Sequence, residues 1–205
     1  MSTNIDKNSS EYCKHKMIEQ YKTVSTSTWI KLTIRNSKFH GKIFHVRSES
    51  EVNDVLRSVE DEFKKPTHIV YAYCLFEDEN VYEYATDAGE PTHSSGPPIL
   101  KVLIGEELVN VLLVVVRYFG GTKLGIGGLV KAYTETAQEA IKNAKIVVIT
   151  NKKEIFVETT YKELGEVLYK IEQNQGKVLD IIHGAKVQIK ALIPVSAGSQ
   201  FEKLI

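Results

Sequence analysis

The chain has 205 residues, 42% of them apolar and 25% charged, and its 26 lysines and arginines are balanced by 26 aspartates and glutamates. That length suffices for one large domain or two small ones. A zero net charge excludes binding to nucleic acid over the whole surface, and no run approaches the roughly 20 apolar residues of a bilayer span.

Residues 1–20 are polar and aperiodic and read as a disordered tail. The opening residues have no apolar core, so a secretory leader is not expected. Cys13 and Cys74 sit in no metal-ligand spacing and exclude a disulfide framework. A cytoplasmic location follows as the expectation. From Tyr21 to Ile34, Val24, Ile30, Leu32 and Ile34 predict an early strand or hairpin. Asn36-Ser37-Lys38 reads as a turn and Phe39 to Val46 as the next strand. Ser48 and Glu51 form a capping box ahead of Val52, Val55, Leu56, Val59 and Phe63, which recur at helical spacing. Pro66 ends that helix. His68 to Phe76 is an aromatic-rich strand, and Val81 to Ala85 pairs with it across a Glu79-Asn80 turn. Thr86 to Pro98 holds three prolines and two glycines and predicts irregular structure; Ile99 to Ile104 begins a short helix closing at Gly105.

The next stretch organises the chain. Val109 to Val116 is β-branched and apolar apart from Asn110, the pattern of a strand buried on both faces. After Arg117, Tyr118 and Phe119 come Gly120, Gly121, Gly125, Gly127 and Gly128, and from Leu129 the period becomes helical, with Val130, Tyr133, Ala137, Ala140, Ile141 and Ala144 on one stripe. Lys145 to Ile149 is a departing strand, and the domain boundary is placed near Asn151. Beyond it, Ile155 to Thr159 reads as a strand, and Thr160 with Glu163 as a second capping box. Leu164, Val167, Leu168 and Ile171 make a helix ended by Gly176. Val178 to Ile182 and Lys186 to Ile193 form a hairpin turning at His183-Gly184. Pro194 closes it, and Phe201 and Leu204 could start a further helix.

The strand–glycine–helix unit has a chemical consequence. The first turn of a helix leaves backbone N–H groups unpaired and partly positive. Glycines let a ligand approach them. Arg117, Lys123 and Lys131 surround the loop, and no acid lies between Arg117 and Thr134. An anion, phosphate or a nucleic-acid backbone, is the natural guest. The plainer alternative is that the glycines only turn the chain and pack helix on strand. Neither the Walker A nor the dinucleotide pattern fits; Val130 stands where the latter needs glycine. Tyr118 is the aromatic expected to face outward for stacking, with Tyr133 and Phe119 in the core.

The stretch from Asp87 to Pro98 is the second candidate, with Asp87, Gly89, Glu90, Thr92, Ser94 and Ser95 as its functional residues. Its Glu, His and Ser types occur in acid–base and nucleophilic sites, but adjacency in sequence supplies no triad geometry. No catalytic residue and no metal site is assigned. Asp87 and Glu90 are expected to bond loop backbone or to pair with Arg117 or Lys123, and His68 to be a hydrogen-bonded core histidine. Glu77, Asp78, Glu79, Glu83, Asp87 and Glu90 run without an intervening Lys or Arg.

Residues 117–133, RYFGGTKLGIGGLVKAY, resemble the signature of the Impact N-terminal family, the YigZ-like proteins of bacteria and their eukaryotic relatives. Ser37-Lys38-Phe39, Thr67-His68, Tyr71-Ala72-Tyr73, Asp87 and Gly89-Glu90-Pro91 agree with it. The family commonly has a second Asp where this chain has Ala88, and a Thr-Ala-Gly core and a Lys where it has His93-Ser94-Ser95 and Pro97. The resemblance implies an α/β (α+β) fold. Its first domain, residues 21–150, would resemble the second domain of a small-subunit ribosomal protein and the GHMP kinases. A small ferredoxin-like domain, residues 151–205, would follow, with its last elements missing. Functionally it implies a translation-linked regulatory binding protein with no cofactor and no membrane. RNA, the ribosome or a translation-regulator protein would meet the basic glycine loop, Arg117, Tyr118, Gly120, Gly121, Lys123, Gly125, Gly127, Gly128 and Lys131. Two alternatives stand beside it: a protein–protein module regulating a stress-response kinase pathway, and a small-molecule enzyme of unknown reaction.

Overall fold

The computed structural model describes residues 19–77 and 80–201. Its contacts divide into two units, one of residues 22–148 and one of residues 19–21 with 149–201. The expected tail lies almost wholly outside the described residues, as do Leu204 and the centre of the Glu79-Asn80 turn.

The first unit is built on a five-stranded antiparallel sheet in the order β2 (Ile30–Ile34), β3 (Ser37–His45), β6 (Val111–Tyr118), β4 (His68–Glu77), β5 (Asn80–Thr86). Strand β6 is central, which is why it reads as a continuous apolar run: Val111 to Val116 are all buried. One face is covered by α1 (Glu49–Glu62), packed over Val46, Tyr73, Leu75, Leu112, Val114 and Val116. The other carries α2 (Gly96–Gly105) and α3 (Gly125–Lys142) over Phe39, Ile43, Val70, Ala72, Leu113 and Val115. The Ser48 half of the capping box forms at α1, where Ser48 accepts from the Glu51 N–H; the Glu51 carboxylate accepts instead from the N–H of Arg47, one residue before the cap.

The early strand is two separate ones. Strand β1 (Gln20–Thr26) pairs with β7 (Lys145–Thr150), while β2 forms a hairpin with β3. The tight turn is Arg35-Asn36, at φ 43° and 66°, the left-handed pair that matches strand twist. Two helices start earlier than their sequence periods suggest. Helix α2 takes in Pro97 and Pro98, which cost nothing in a first turn whose N–H groups are unpaired anyway. Helix α3 takes in Gly125, Gly127 and Gly128.

The second unit is a three-stranded antiparallel sheet in the order β8 (Lys152–Thr159), β10 (Val187–Pro194), β9 (Lys177–His183), packed on α4 (Leu164–Gln173) through Ile155, Val157, Val167, Ile171, Ile189 and Ile193. A 3-10 helix over Val195–Gln200 ends it, with Phe201 buried beyond. The Thr160 hydroxyl bonds Glu163, but α4 begins at Leu164 with no side-chain cap. Gln175, at φ 55°, and not Gly176, takes the left-handed position after α4; Gly176 is instead pressed against Ile171, where a Cβ would come within 2.7 Å of its side chain.

Candidate nucleic-acid interface at the end of strand β6

Side chains alternate across a strand, so Arg117 and Tyr118 at the end of β6 point to opposite faces of the sheet. Arg117 pairs with Phe39 and His68 in the sheet register and lies on the α3 side. There its Nη1 donates to Glu90 Oε1 at 2.5 Å, and the two side chains are only 6% and 3% exposed. The Tyr133 hydroxyl of α3 donates to the same Glu90 oxygen at 2.7 Å. Burial first, then that hydrogen bond to a carboxylate, push the Tyr133 pKa far up. Arg117 Nη2 reaches Ser37 Oγ at 3.4 Å, and His68 Nε2 stands 3.9 Å from Glu90 Oε2 while its Nδ1 meets the Ala88 carbonyl at 2.8 Å. Glu90 therefore staples the loop to β6 and α3 from inside. The guanidinium charge is balanced within the protein, and Arg117 does not face an external anion.

Asp87 holds the other half of that loop. Its carboxylate accepts from the backbone N–H groups of His93 (2.7 Å), Ser95 (2.9 Å) and Gly96 (3.0 Å) and from the Ser95 hydroxyl (2.7 Å). It thereby satisfies N–H groups at the start of α2, a capping role delivered from eight and nine residues upstream. Gly89, at φ 85°, makes the turn between the two acids. Ser94 donates to the Pro91 carbonyl, so both serine hydroxyls serve the loop; Thr92 and His93 are exposed. Among the described residues no three His, Cys, Asp or Glu gather as metal ligands. Cys74 is buried, and burial with Glu83 pushes its thiol up to about 12.

A pH prediction follows from Asp87. Burial alone would raise its pKa, but the Ser95 hydroxyl and the Gly96, His93 and Ser95 N–H groups outweigh that and hold it below the usual carboxylate range. The unfolded chain thus takes up this proton at a higher pH than the folded one. Stability from Asp87 is complete above the ordinary aspartate value of about 3.9 and is lost as pH falls through the lower folded value. Asp87→Asn should cost about 2 kcal/mol near pH 7, with the deficit shrinking in acid. Urea denaturation at a series of pH values reads this, and a deficit independent of pH would refute it.

The outward face at the same end of the sheet is different. Tyr118 pairs in register with Lys38, and Lys31 with His40, so all four lie on the α1 side. Lys31, Asn36, Lys38, His40, Tyr118 and Phe119 line a cleft of about 390 Å³. No acid lines it, and neither lysine forms an ion pair with a described carboxylate. Burial, then the Lys31 and Lys38 ammonium groups, lower the His40 pKa, so the ring is neutral near pH 7. The Tyr118 hydroxyl donates to the Lys64 carbonyl at 3.2 Å, which fixes the ring. Phe119 is 46% exposed where the apolar count puts it in the core, because the strand has ended and it no longer faces either layer.

Beyond Phe119 the predicted residues separate by role. Gly120 packs against the Asn36 backbone and donates its N–H to Ser37 Oγ at 3.2 Å. Gly121 and Gly125 hold φ 86° and 73°. Lys123 is exposed, with no described carboxylate partner. Gly125, Gly127 and Gly128 form the first turn of α3, which has no side-chain cap, and around Gly127 an added Cβ would meet nothing within 4 Å. Lys131, one turn further on, stands 3.7 Å from Glu135. In the sequence none of Lys31, Asn36, Lys38, His40 or Phe119 reads as a binding residue, and Phe119 reads as core; only the β2–β3–β6 register brings them together.

Comparison with known proteins agrees with this architecture. The Impact N-terminal domain matches residues 35–141, just over half of the chain. The chain is 27% identical to the IMPACT family member YvyE of Bacillus subtilis over 187 residues, covering 91% of this chain and 86% of that one. It is 36% identical to an IMPACT family member encoded in the pol 5' region of Thermus thermophilus over 134 residues, 65% of this chain and 71% of that one. Among solved structures, the crystal structure of a hypothetical protein superposes with a TM-score of 0.68 at 26% identity, covering 91% of each chain. This chain belongs to the Impact N-terminal domain family.

Proposed function

We propose that the protein is a regulatory binding protein of translation that contacts RNA at the end of β6, through the exposed cations around the glycine-rich strand–helix junction. The observation that carries this is the charge map. Lys31, Lys38 and Lys123 are exposed and unpaired with any described carboxylate, while the acids of the neighbouring loop, Asp87 and Glu90, are engaged internally. The uncapped first turn of α3 adds backbone N–H groups beside Lys123. Family membership supports the translational setting and, with it, the cytoplasm. The strand order β8-β10-β9 around a single helix supports the ferredoxin-like reading of the second unit. A regulator protein as the partner, engaging the acidic stretch, has less to draw on, since two of that stretch's carboxylates face inward.

Lys123→Glu tests the reading. Affinity for a fluorescein-labelled RNA at low salt should fall, and the slope of log K against log salt should flatten by about one for the lost phosphate contact, somewhat less on a single strand. The fold should be untouched because Lys123 is exposed, which circular dichroism checks. Unchanged binding by this variant, or a wild-type protein with no salt-dependent RNA affinity, would reject the proposal.

A further inference from the structure

We infer that the cleft at the ends of β2, β3 and β6 takes one nucleotide of single-stranded RNA, with its base stacked on Phe119 and its phosphates held by Lys31 and Lys38; this deepens the RNA reading and rests on it. Charge alone would suit any polyanion. What selects a single strand is the exposed aromatic among the cations. A base in a duplex has both faces covered by its neighbours, whereas an unpaired base presents a face to an aromatic ring. Phe119 lines the cleft and is 46% exposed overall, and the Arg117 guanidinium lies 5.6 Å from its ring centre, which steadies the ring. The volume of about 390 Å³ is at the small end of ligand clefts, room for a nucleoside with its phosphate and not for a helix.

The polar groups are placed to divide the work. Lys31 and Lys38 stand on neighbouring strands of one hairpin, both on the cleft face, so two phosphates or one phosphate and a ribose oxygen fall within their reach. His40 is neutral near pH 7 and offers a hydrogen bond in place of a charge. The Asn36 amide, on the tight turn, can donate and accept and so suits a base edge. An acidic protein segment would use the lysines and leave Phe119 idle. That difference makes the occupant testable.

The experiment measures fluorescence anisotropy with an oligoadenylate about ten nucleotides long, a duplex RNA of similar length, and adenosine monophosphate as competitor. Phe119→Ala should weaken oligoadenylate binding about tenfold, the usual scale for one lost base stack, and Phe119→Trp should restore it. The salt slope should stay unchanged in Phe119→Ala but fall by about 1.4 in the Lys31→Ala/Lys38→Ala variant, two phosphate contacts on a single strand. Duplex affinity should not respond to Phe119→Ala. If the wild type binds RNA but Phe119→Ala binds oligoadenylate within about twofold of it, the cleft inference is overturned and the RNA reading stands. If the lysine pair matters and Phe119 does not, the lysines hold the phosphate backbone with no base stacked in the cleft, and the cleft inference is overturned. Adenosine monophosphate binding as tightly as the strand would make a free nucleotide the guest and overturn the assignment to RNA. No salt-dependent affinity for any RNA overturns both readings.

Discussion

Arg117→Ala should destabilise the first unit by about 3–5 kcal/mol, the usual cost of removing one partner from a buried ion pair. Glu90 and Arg117 are almost fully enclosed, at 3% and 6% side-chain exposure. Without the guanidinium, the Glu90 carboxylate keeps, among the described residues, the Tyr133 hydroxyl at 2.7 Å and a histidine nitrogen at 3.9 Å. It is then a buried carboxylate without a counter-charge, the costly state that rupture of such a pair leaves behind. The loss would consume much of a typical domain's stability of about 5–15 kcal/mol. The pair itself is worth far less than its rupture. Among the described residues, Arg117 Nε is buried with no hydrogen-bond partner, so the pair with Glu90 leaves one guanidinium donor unused. Replacing both groups with apolar residues, Glu90→Leu with Arg117→Met, should therefore recover most of the deficit. Urea denaturation of the two single variants and the double gives the cycle. A loss below about 1 kcal/mol for Arg117→Ala would mean the ion pair is solvated in solution.

Which parts of this site are visible in the sequence depends on how local their causes are. Strand β6 announces itself because six successive residues, Val111 to Val116, are buried on both sides. The Ser48 cap is equally local, since its partner is three residues away. The start of α3 is hidden, because glycine is about 1 kcal/mol worse than alanine in a helix and three occur in its first turn. Packing of Leu129, Tyr133 and Ala137 against the sheet overrides that preference. Arg117 and Tyr118 look like one cationic–aromatic site along the chain, yet period-2 alternation puts one head inside against Glu90 and the other on the far face. The pairing of Glu90 with Arg117 could be named from residue types, but Tyr133 as a third member could not, because it sits on an apolar stripe and reads as core. The cleft was least legible of all. Lys31, Lys38 and Phe119 lie as much as 88 positions apart, and only the pairing of β2 with β3 and of β3 with β6 makes them neighbours.

Gly120→Ala should cost about 3 kcal/mol, at the upper end of overpacking effects. The reason is not backbone conformation, since Gly120 is outside the left-handed region. A Cβ there would fall on the carbonyl of Asn36 and the nitrogen of Ser37, far inside van der Waals contact. Both are main-chain atoms of the tight β2–β3 turn, whose Arg35 and Asn36 already hold positive φ, so the obstacle cannot rotate away like a side chain. Relief requires moving the hairpin off β6. That would break the Gly120 N–H bond to Ser37 Oγ and loosen the contact of Arg117 Nη2 with the same oxygen. It would also widen the cleft, because Asn36 and Lys38 flank that turn. Gly127→Ala is the matched control. An added Cβ meets nothing within 4 Å, and the position lies in the first turn of α3, so stability should hold or rise by up to about 1 kcal/mol. Urea midpoints at unchanged m separate the two cases. Equal stability of Gly120→Ala and the wild type would show that the hairpin and the end of β6 are not in contact in solution, and would remove the cleft's wall with it.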